Sequence, residues 1–194
     1  DENGEVLIPL FTSGSKVTAS LAGTGISESL NGGLGGQVVR IPVIPNGDWI
    51  LSGNQSISLQ SLDTSQSLVG NLILEDEAIL QLFDMNLIMA PGKAIILSDN
   101  AQIIGANSSI ESDEILLNDS STITGVSSHS QLLMDADIEW NCGSQTNVSN
   151  LIVVQQLTLG PNCQLTIANG VLTGTASTPI DSSIKVTSTL SVSV

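Results

Sequence analysis

The feature that most limits what this chain can become is the return of a short apolar run every seven or eight residues. Between positions 71 and 124, Asn71-Leu-Ile-Leu74, Asn86-Leu-Ile-Met89, Ala101-Gln-Ile-Ile104 and Ile115-Leu-Leu-Asn118 form one evenly stepped series. A second series runs between them: Ala78-Ile-Leu-Gln-Leu82, Ala94-Ile-Ile-Leu97, Ser108-Ser-Ile-Glu111 and Ser121-Thr-Ile-Thr124. Turn formers separate the runs, among them Glu75-Asp76, Pro91-Gly92, Asp99-Asn100 and Asn118-Asp119. Strands this close leave no room for the helical crossovers that parallel strands otherwise need. The chain must turn a corner after each strand and climb, so that stacked units bury together what one unit cannot bury alone. The predicted fold is all-β, a parallel β-helix or β-solenoid with short strands. A β-sandwich is the alternative, since it also gives short strands, with turn signals about every 8–12 residues. The shorter spacing here, the internal repeat and the scarcity of aromatics (two Trp, two Phe, no Tyr) argue against it.

The two cysteines offer a check on the repeat. Cys142 and Cys163 are separated by three times the seven-residue strand spacing. With three strand cores per coil they occupy equivalent places in successive coils, about 4.8 Å apart, within reach of a disulfide. Two free buried thiols are the other reading. No His- or Cys-rich cluster accompanies them, which argues against zinc.

Composition narrows the partners. The formal net charge is −15, and the only basic residues are Lys16, Arg40, Lys93 and Lys185, scattered along the chain. No basic patch can be assembled from them, so nucleic acid is excluded as a partner, and an anionic membrane surface with it. No apolar run approaches the length of a membrane span. A mean hydropathy of +0.30 with 12% charged residues is too apolar for acidic disorder. The sequons at Asn54, Asn107, Asn118 and Asn147 are candidate glycosylation sites if the protein is secreted. A disulfide points to an extracellular or cell-surface location, and a start at Asp1 without Met is expected of a processed N-terminus or of a piece excised from a longer chain.

Three segments are expected along the chain. Residues 1–36 combine a short apolar segment with a polar, Gly-rich linker ending Asn31-Gly-Gly-Leu-Gly-Gly36. Val6, Leu7, Ile8, Leu10 and Phe11 read either as a docking arm or as the first strand of the fold. Residues 37–180 carry the repeat. Residues 181–194 form a C-terminal strand in which Leu190, Val192 and Val194 alternate with polar residues, with no capping segment visible.

Residues 71–82 and 87–97 resemble coils of the parallel β-helices of secreted bacterial surface and fibre proteins. The shared pattern places Ala78 and Ala94 just after an acidic or Pro-Gly turn, followed by alternating Leu and Ile. The resemblance covers roughly residues 55–175 and implies a group that spans adhesins, fibre subunits, tail spikes and polysaccharide lyases.

Candidate chemistry is sparse. Four isolated basic residues cannot form the cationic cluster such lyases use. Asp135, Asp137 and Glu139 alternate in Met134-Asp-Ala-Asp-Ile-Glu-Trp140 and would share one face of a strand, with Trp140 nearby to stack on a sugar. A solvated acidic face, or a weak Ca2+ site using Asp135 and Asp137, is the plainer reading. Glu75-Asp76-Glu77 is a second source of oxygen ligands. His129 lies in Ser127-Ser-His-Ser130, where Ser is too common for its proximity to mean anything. The chain is therefore expected not to be an enzyme. Its expected function is that of a subunit of an extracellular fibre, a homo-polymer joined head to tail through solenoid ends and terminal segments. The alternatives are an adhesin stalk binding carbohydrate or a host surface, and a polysaccharide-active β-helix enzyme.

Overall fold

The structure is a computed structural model and describes residues 16–20, 27–31, 46–60 and 65–187. Among them the protein is all-β, without a helix, and its parallel sheets stack as a β-solenoid of about six turns. Each coil gives one strand to each of three walls. The first wall stacks Trp49–Leu51, Leu72–Leu74, Ala94–Leu97, the second halves of Ser108–Asn118 and Leu132–Asn141, then Leu157–Leu159 and Ala176–Ser177. The second wall holds Ser56–Gln60, Ile79–Phe83, Gln102–Ala106 and Thr122–Gly125 and, after a break, Gln145–Ser149, Gln164–Ala168 and Ser183–Thr187. The third wall holds Ser65–Leu68, Asn86–Met89, the first halves of the two long strands, Leu151–Val153 and Val171–Leu172. All these pairings are parallel, which rules out the sandwich.

Three walls explain the two series in the sequence. One step within a series is two strands of a three-strand coil, so each series visits the walls in rotation. Coil length is less regular than expected. Down the first wall Trp49, Leu72, Ile95, Ile115, Ile138, Leu157 and Ala176 are successive partners. The interval between partners is longest at the first, second and fourth steps and shortest at the last two, scattering on both sides of three sevens. Residues are gained and lost at corners, where they leave the wall register intact.

Two of the expected segments contain described strands. Ser183–Thr187 pairs in parallel with Gln164–Ala168 and is a solenoid strand. Within residues 1–36, Lys16–Ser20 and Ser27–Asn31 pair as antiparallel strands, so the linker contains a short β pairing that its Gly/Ser composition concealed. Val6, Leu7, Ile8, Leu10, Phe11, Leu190, Val192 and Val194 lie outside the described residues.

The core consists of columns. Leu51, Leu74, Leu97, Leu117, Trp140 and Leu159 lie one above the next on the inner side of the first wall, and all are buried. A parallel column of Trp49, Leu72, Ile95, Ile115, Ile138 and Leu157 lies beside it. Leu80, Leu82, Ile103 and Ile123 come in from the second wall and Leu87, Ile110, Leu132 and Met134 from the third. Each fully buried aliphatic side chain contributes about 1.5–3 kcal/mol, so the stack, not any single coil, carries the stability.

Corners close because Asp and Asn tolerate the left-handed conformation. The corner between first and second walls places Gly53, Asp76, Asp99, Asp119, Gly143 and Asn162 at positive φ. The next corner does the same with Asp84, Asn107, Asn150 and Asn169. In the first corner the side chains also ladder. Asp76 Oδ2 accepts the Gly53 N–H at 2.8 Å, Asp99 Oδ2 the Asp76 N–H at 3.3 Å, and Asp119 Oδ2 the Asp99 N–H at 3.4 Å. Each carboxylate thereby satisfies a corner amide that the turn leaves without a strand partner.

The second wall breaks between Thr122–Gly125 and Gln145–Ser149. Here Thr124 Oγ1 accepts the Ser149 N–H at 3.2 Å and donates to the Ser149 carbonyl at 3.1 Å, replacing the backbone ladder. Gly125 is required at this seam, because a Cβ on it would lie 2.2 Å from the Asn150 carbonyl oxygen.

The Asp ladder separates two effects in one position. Asp99→Ala should lose about 1–3 kcal/mol, from the left-handed φ and the lost acceptor. Asp99→Asn keeps both and removes the middle charge of a like-charged column, so it should be at least as stable as the parent. Urea midpoints at constant m-value test the pair.

Candidate functional site

The outer side of the first wall is the most chemically distinctive surface among the described residues. Inward and outward side chains alternate along each short strand, so each strand sends one central side chain to solvent. From the first coil to the sixth these are Ile50, Ile73, Ile96, Leu116, Glu139 and Thr158, in direct register. The upper four form an apolar column. Ile50 is 57% exposed, and Ile73, Ile96 and Leu116 are partly exposed. Below them the wall turns acidic, with a shallow depression lined by Glu114, Asp137, Glu139, Gln156 and Thr158. Glu114 and Asp137 are direct cross-strand partners of like charge, an arrangement that costs stability in a sheet.

The expected carboxylate row is present in altered form. Asp135, Asp137 and Glu139 all point outward, but the strand bends at buried Ala136. Asp135 belongs to the third wall, opposite Glu111, while Asp137 and Glu139 belong to the first. Each carboxylate takes a local hydrogen bond: Asp135 Oδ1 from Gln155 Nε2 at 2.7 Å, Asp137 Oδ1 from the Gln156 N–H at 3.3 Å, and Glu139 Oε1 from Asn141 Nδ2 at 3.0 Å. Trp140 is not beside them. It points into the core and is fully buried, so it offers no platform for a sugar. The parity of the strand decides this: position 140 shares the inner face with Ile138. Among the described residues, no group of three or more His, Cys, Asp or Glu side chains is placed to hold a metal ion. Glu75, Asp76 and Glu77 are exposed at the first corner, where Asp76 serves the ladder.

His129 is exposed in the loop inserted at the seam, with Ser128 Oγ 3.4 Å from Nδ1. Of the sequon residues, Asn54 and Asn147 are exposed. Asn107 is exposed with Nδ2 donating to Asp84 Oδ1 at 3.1 Å, and Asn118 Oδ1 accepts from Asn141 Nδ2 at 3.2 Å. Among the described residues, no helix is long and apolar enough to cross a membrane.

Cys142 and Cys163 form a disulfide, with Cα atoms 5.1 Å apart. It joins successive coils, as the spacing predicts, but not at equivalent places. The local coil is shorter than three sevens, so Ser144 and not Cys142 matches Cys163, and the Gln164 N–H accordingly bonds the Ser144 carbonyl. Gly143, next to Cys142, has the positive φ common to this corner. Both cysteines are buried beside the core. A disulfide fits an oxidising environment.

The apolar outer column was the signal that sequence reading passed over. Leu72-Ile-Leu74, Ile95-Ile-Leu97 and Ile115-Leu-Leu117 place an apolar residue where strict alternation asks for a polar one. Comparison with protein-family models, with curated proteins and with solved structures finds no match.

The disulfide joins cysteines at a sequence separation of 21. For a loop of that size, loop-closure entropy gives about 3 kcal/mol. Reduction, or the Cys142→Ser/Cys163→Ser double substitution, should lower the unfolding free energy by about that amount. Paired urea titrations with and without reductant measure it.

Proposed function

We propose that this protein is a structural subunit of an extracellular assembly that grows by adding strands to the end of the solenoid. The observation that carries the reading is the state of the last described coil. Ala176–Ser177 and Ser183–Thr187 pair only with the coil before them among the described residues. Ser183 N–H bonds back to the Cys163 carbonyl. Backbone direction alternates along a strand, so the N–H groups of Ile184 and Val186 face the open side. Among the described residues this coil also leaves apolar side chains exposed: Val186 is 37% exposed and Ile180 is fully exposed, whereas Trp49, Leu51 and Leu59 of the first coil are buried. An open parallel edge is a template for another strand. Ends that differ in this way favour heterologous, head-to-tail contacts, which give open filaments when the rotation does not close. The apolar segment Val6-Leu-Ile-Pro-Leu-Phe11 is the strand we assign as donor from a neighbouring copy. The disulfide is consistent with work outside the cell.

The test is electron microscopy and sedimentation of the purified protein across a concentration series. Filaments of one solenoid width are expected. Val186→Pro removes an open-side N–H without removing a donor to Gln164–Ala168, so it should leave the circular dichroism spectrum intact and abolish filaments. Strictly monodisperse monomers at all concentrations would sink the proposal, as would filaments that survive both Val186→Pro and deletion of residues 6–11.

A further inference from the structure

The first wall supports a second and separate inference, independent of the polymer reading. Its outer apolar column of Ile50, Ile73, Ile96 and Leu116 steps down four consecutive coils in register. Successive parallel strands are about 4.8 Å apart, so the column is about 14 Å long and runs along the solenoid axis. Apolar residues stacked on the solvent side of a sheet form a continuous strip, in contrast to the scattered exposed aliphatics of an ordinary surface. The second wall has no such strip: Ser58, Gln81, Ile104 and Thr124 follow one another there.

The surroundings of the strip select its occupant. Of the carboxylates whose side chains are described, only Asp84, Glu111 and Asp135 lie away from the first wall and its two bounding corners. The others flank or continue the strip: the ladder of Asp76, Asp99 and Asp119 lies on one side, and Asp113 and Glu114 on the other. Lys93 is the only described cation at this wall and its corners. A second copy would bring an equal set of carboxylates against these, at separations where screening at about 0.15 M salt is incomplete. An anionic membrane surface would meet the same repulsion. The matching surface is apolar along its centre and cationic along its margins.

Spacing then selects a shape. An extended strand laid along the axis repeats its side chains every ~6.8 Å on one face, so three steps span about 20 Å and slip out of step with the column. A helix places a side chain on one stripe every turn, about 5.4 Å, so three turns span about 16 Å and stay within one side-chain width of it. We propose that the outer first wall is the docking surface for a cationic amphipathic helix of a partner protein, lying along the solenoid axis with apolar residues at i, i+3 or i+4, i+7 and i+11 on the strip and Lys or Arg over the flanking Asp and Glu columns.

The probe is a synthetic peptide of about 15 residues, long enough to hold helix on a surface, made of Leu and Lys with Leu at those spacings. A peptide of the same composition with scrambled order is its control. Affinities are measured by calorimetry at about 0.15 M salt. The patterned peptide should bind at least about tenfold tighter than the scrambled one, the effect of burying one or two aliphatic side chains. Ile73→Thr/Ile96→Thr should remove that preference, and Gln81→Ala on the second wall should leave it unchanged. Ile50→Thr, at the most exposed position, should weaken binding several-fold even if the double variant folds poorly, and circular dichroism checks each fold. Equal binding of both peptides would reduce the wall to a charge sink and overturn the proposal. No binding of either peptide would overturn it too. So would a dimer of the protein that Ile73→Thr/Ile96→Thr dissociates, since the strip would then belong to a second copy. None of these outcomes bears on filament formation at the solenoid end.

Discussion

In-register parallel stacking is the constraint on which the rest of this structure depends. When a strand lies about 4.8 Å above its equivalent, whatever stands at one position meets its own counterpart in the next coil. Inside, that turns Leu51, Leu74, Leu97 and Leu117 into a column. At the corner it sets each of Asp76, Asp99 and Asp119 over the backbone N–H of the coil before. Outside, it lines up Ile50, Ile73, Ile96 and Leu116. The same geometry that makes the core also copies any surface chemistry into a strip, with like charges forced to stack where acidic residues recur, as at Glu114 and Asp137.

That copying explains what was legible in the sequence. The apolar runs recur because the walls demand them, and Asp, Asn and Gly recur because the corners demand positive φ. A solenoid announces itself through repetition that a sandwich does not need. Coil length was less legible. The interval between Cys142 and Cys163 suggested a uniform coil of three sevens, and the disulfide between them is present, but the local coil is shorter and the two cysteines are offset in register. A cross-link constrains where two side chains meet; it does not fix the register of the backbones that carry them. The carboxylates between positions 135 and 139 show a related limit. Alternation put Asp135, Asp137 and Glu139 on one side of a strand, and they are on its outer side, yet the long strand turns a corner at Ala136 that no turn residue marks. The same parity that sends those carboxylates out sends Trp140 in, a consequence available from sequence once the strand was drawn. The outer apolar strip was hidden for another reason: an apolar residue amid an apolar triplet looks like more core until the inner face is known.

The seam in the second wall and the disulfide sit in the same part of the molecule. Above the break four strands run in register, and below it three do, with Thr124 Oγ1 bridging to Ser149 in place of backbone pairs. The lower coils hang on the first and third walls, where Ser108–Asn118 and Leu132–Asn141 pair along nearly their whole length. Cys142–Cys163 ties the coil just below the break to the one beneath it. A disulfide acts chiefly on the unfolded chain, and here the loop it closes holds Gln145–Ser149, the first second-wall strand below the break.

Charge placement bears on how copies of such a chain can meet. Lateral packing through the first wall would oppose two sets of carboxylates. The last described coil presents mainly backbone and small side chains, with Asp181 and Lys185 of opposite sign the only charges among residues 176–187. Repulsion between acidic walls and hydrogen bonding at an open strand edge act on different surfaces, and both disfavour sideways aggregation relative to growth along the axis. An acidic wall is therefore not at odds with self-assembly. In the assembly we propose, it would restrict growth to one direction and leave the wall itself to partners of the opposite charge.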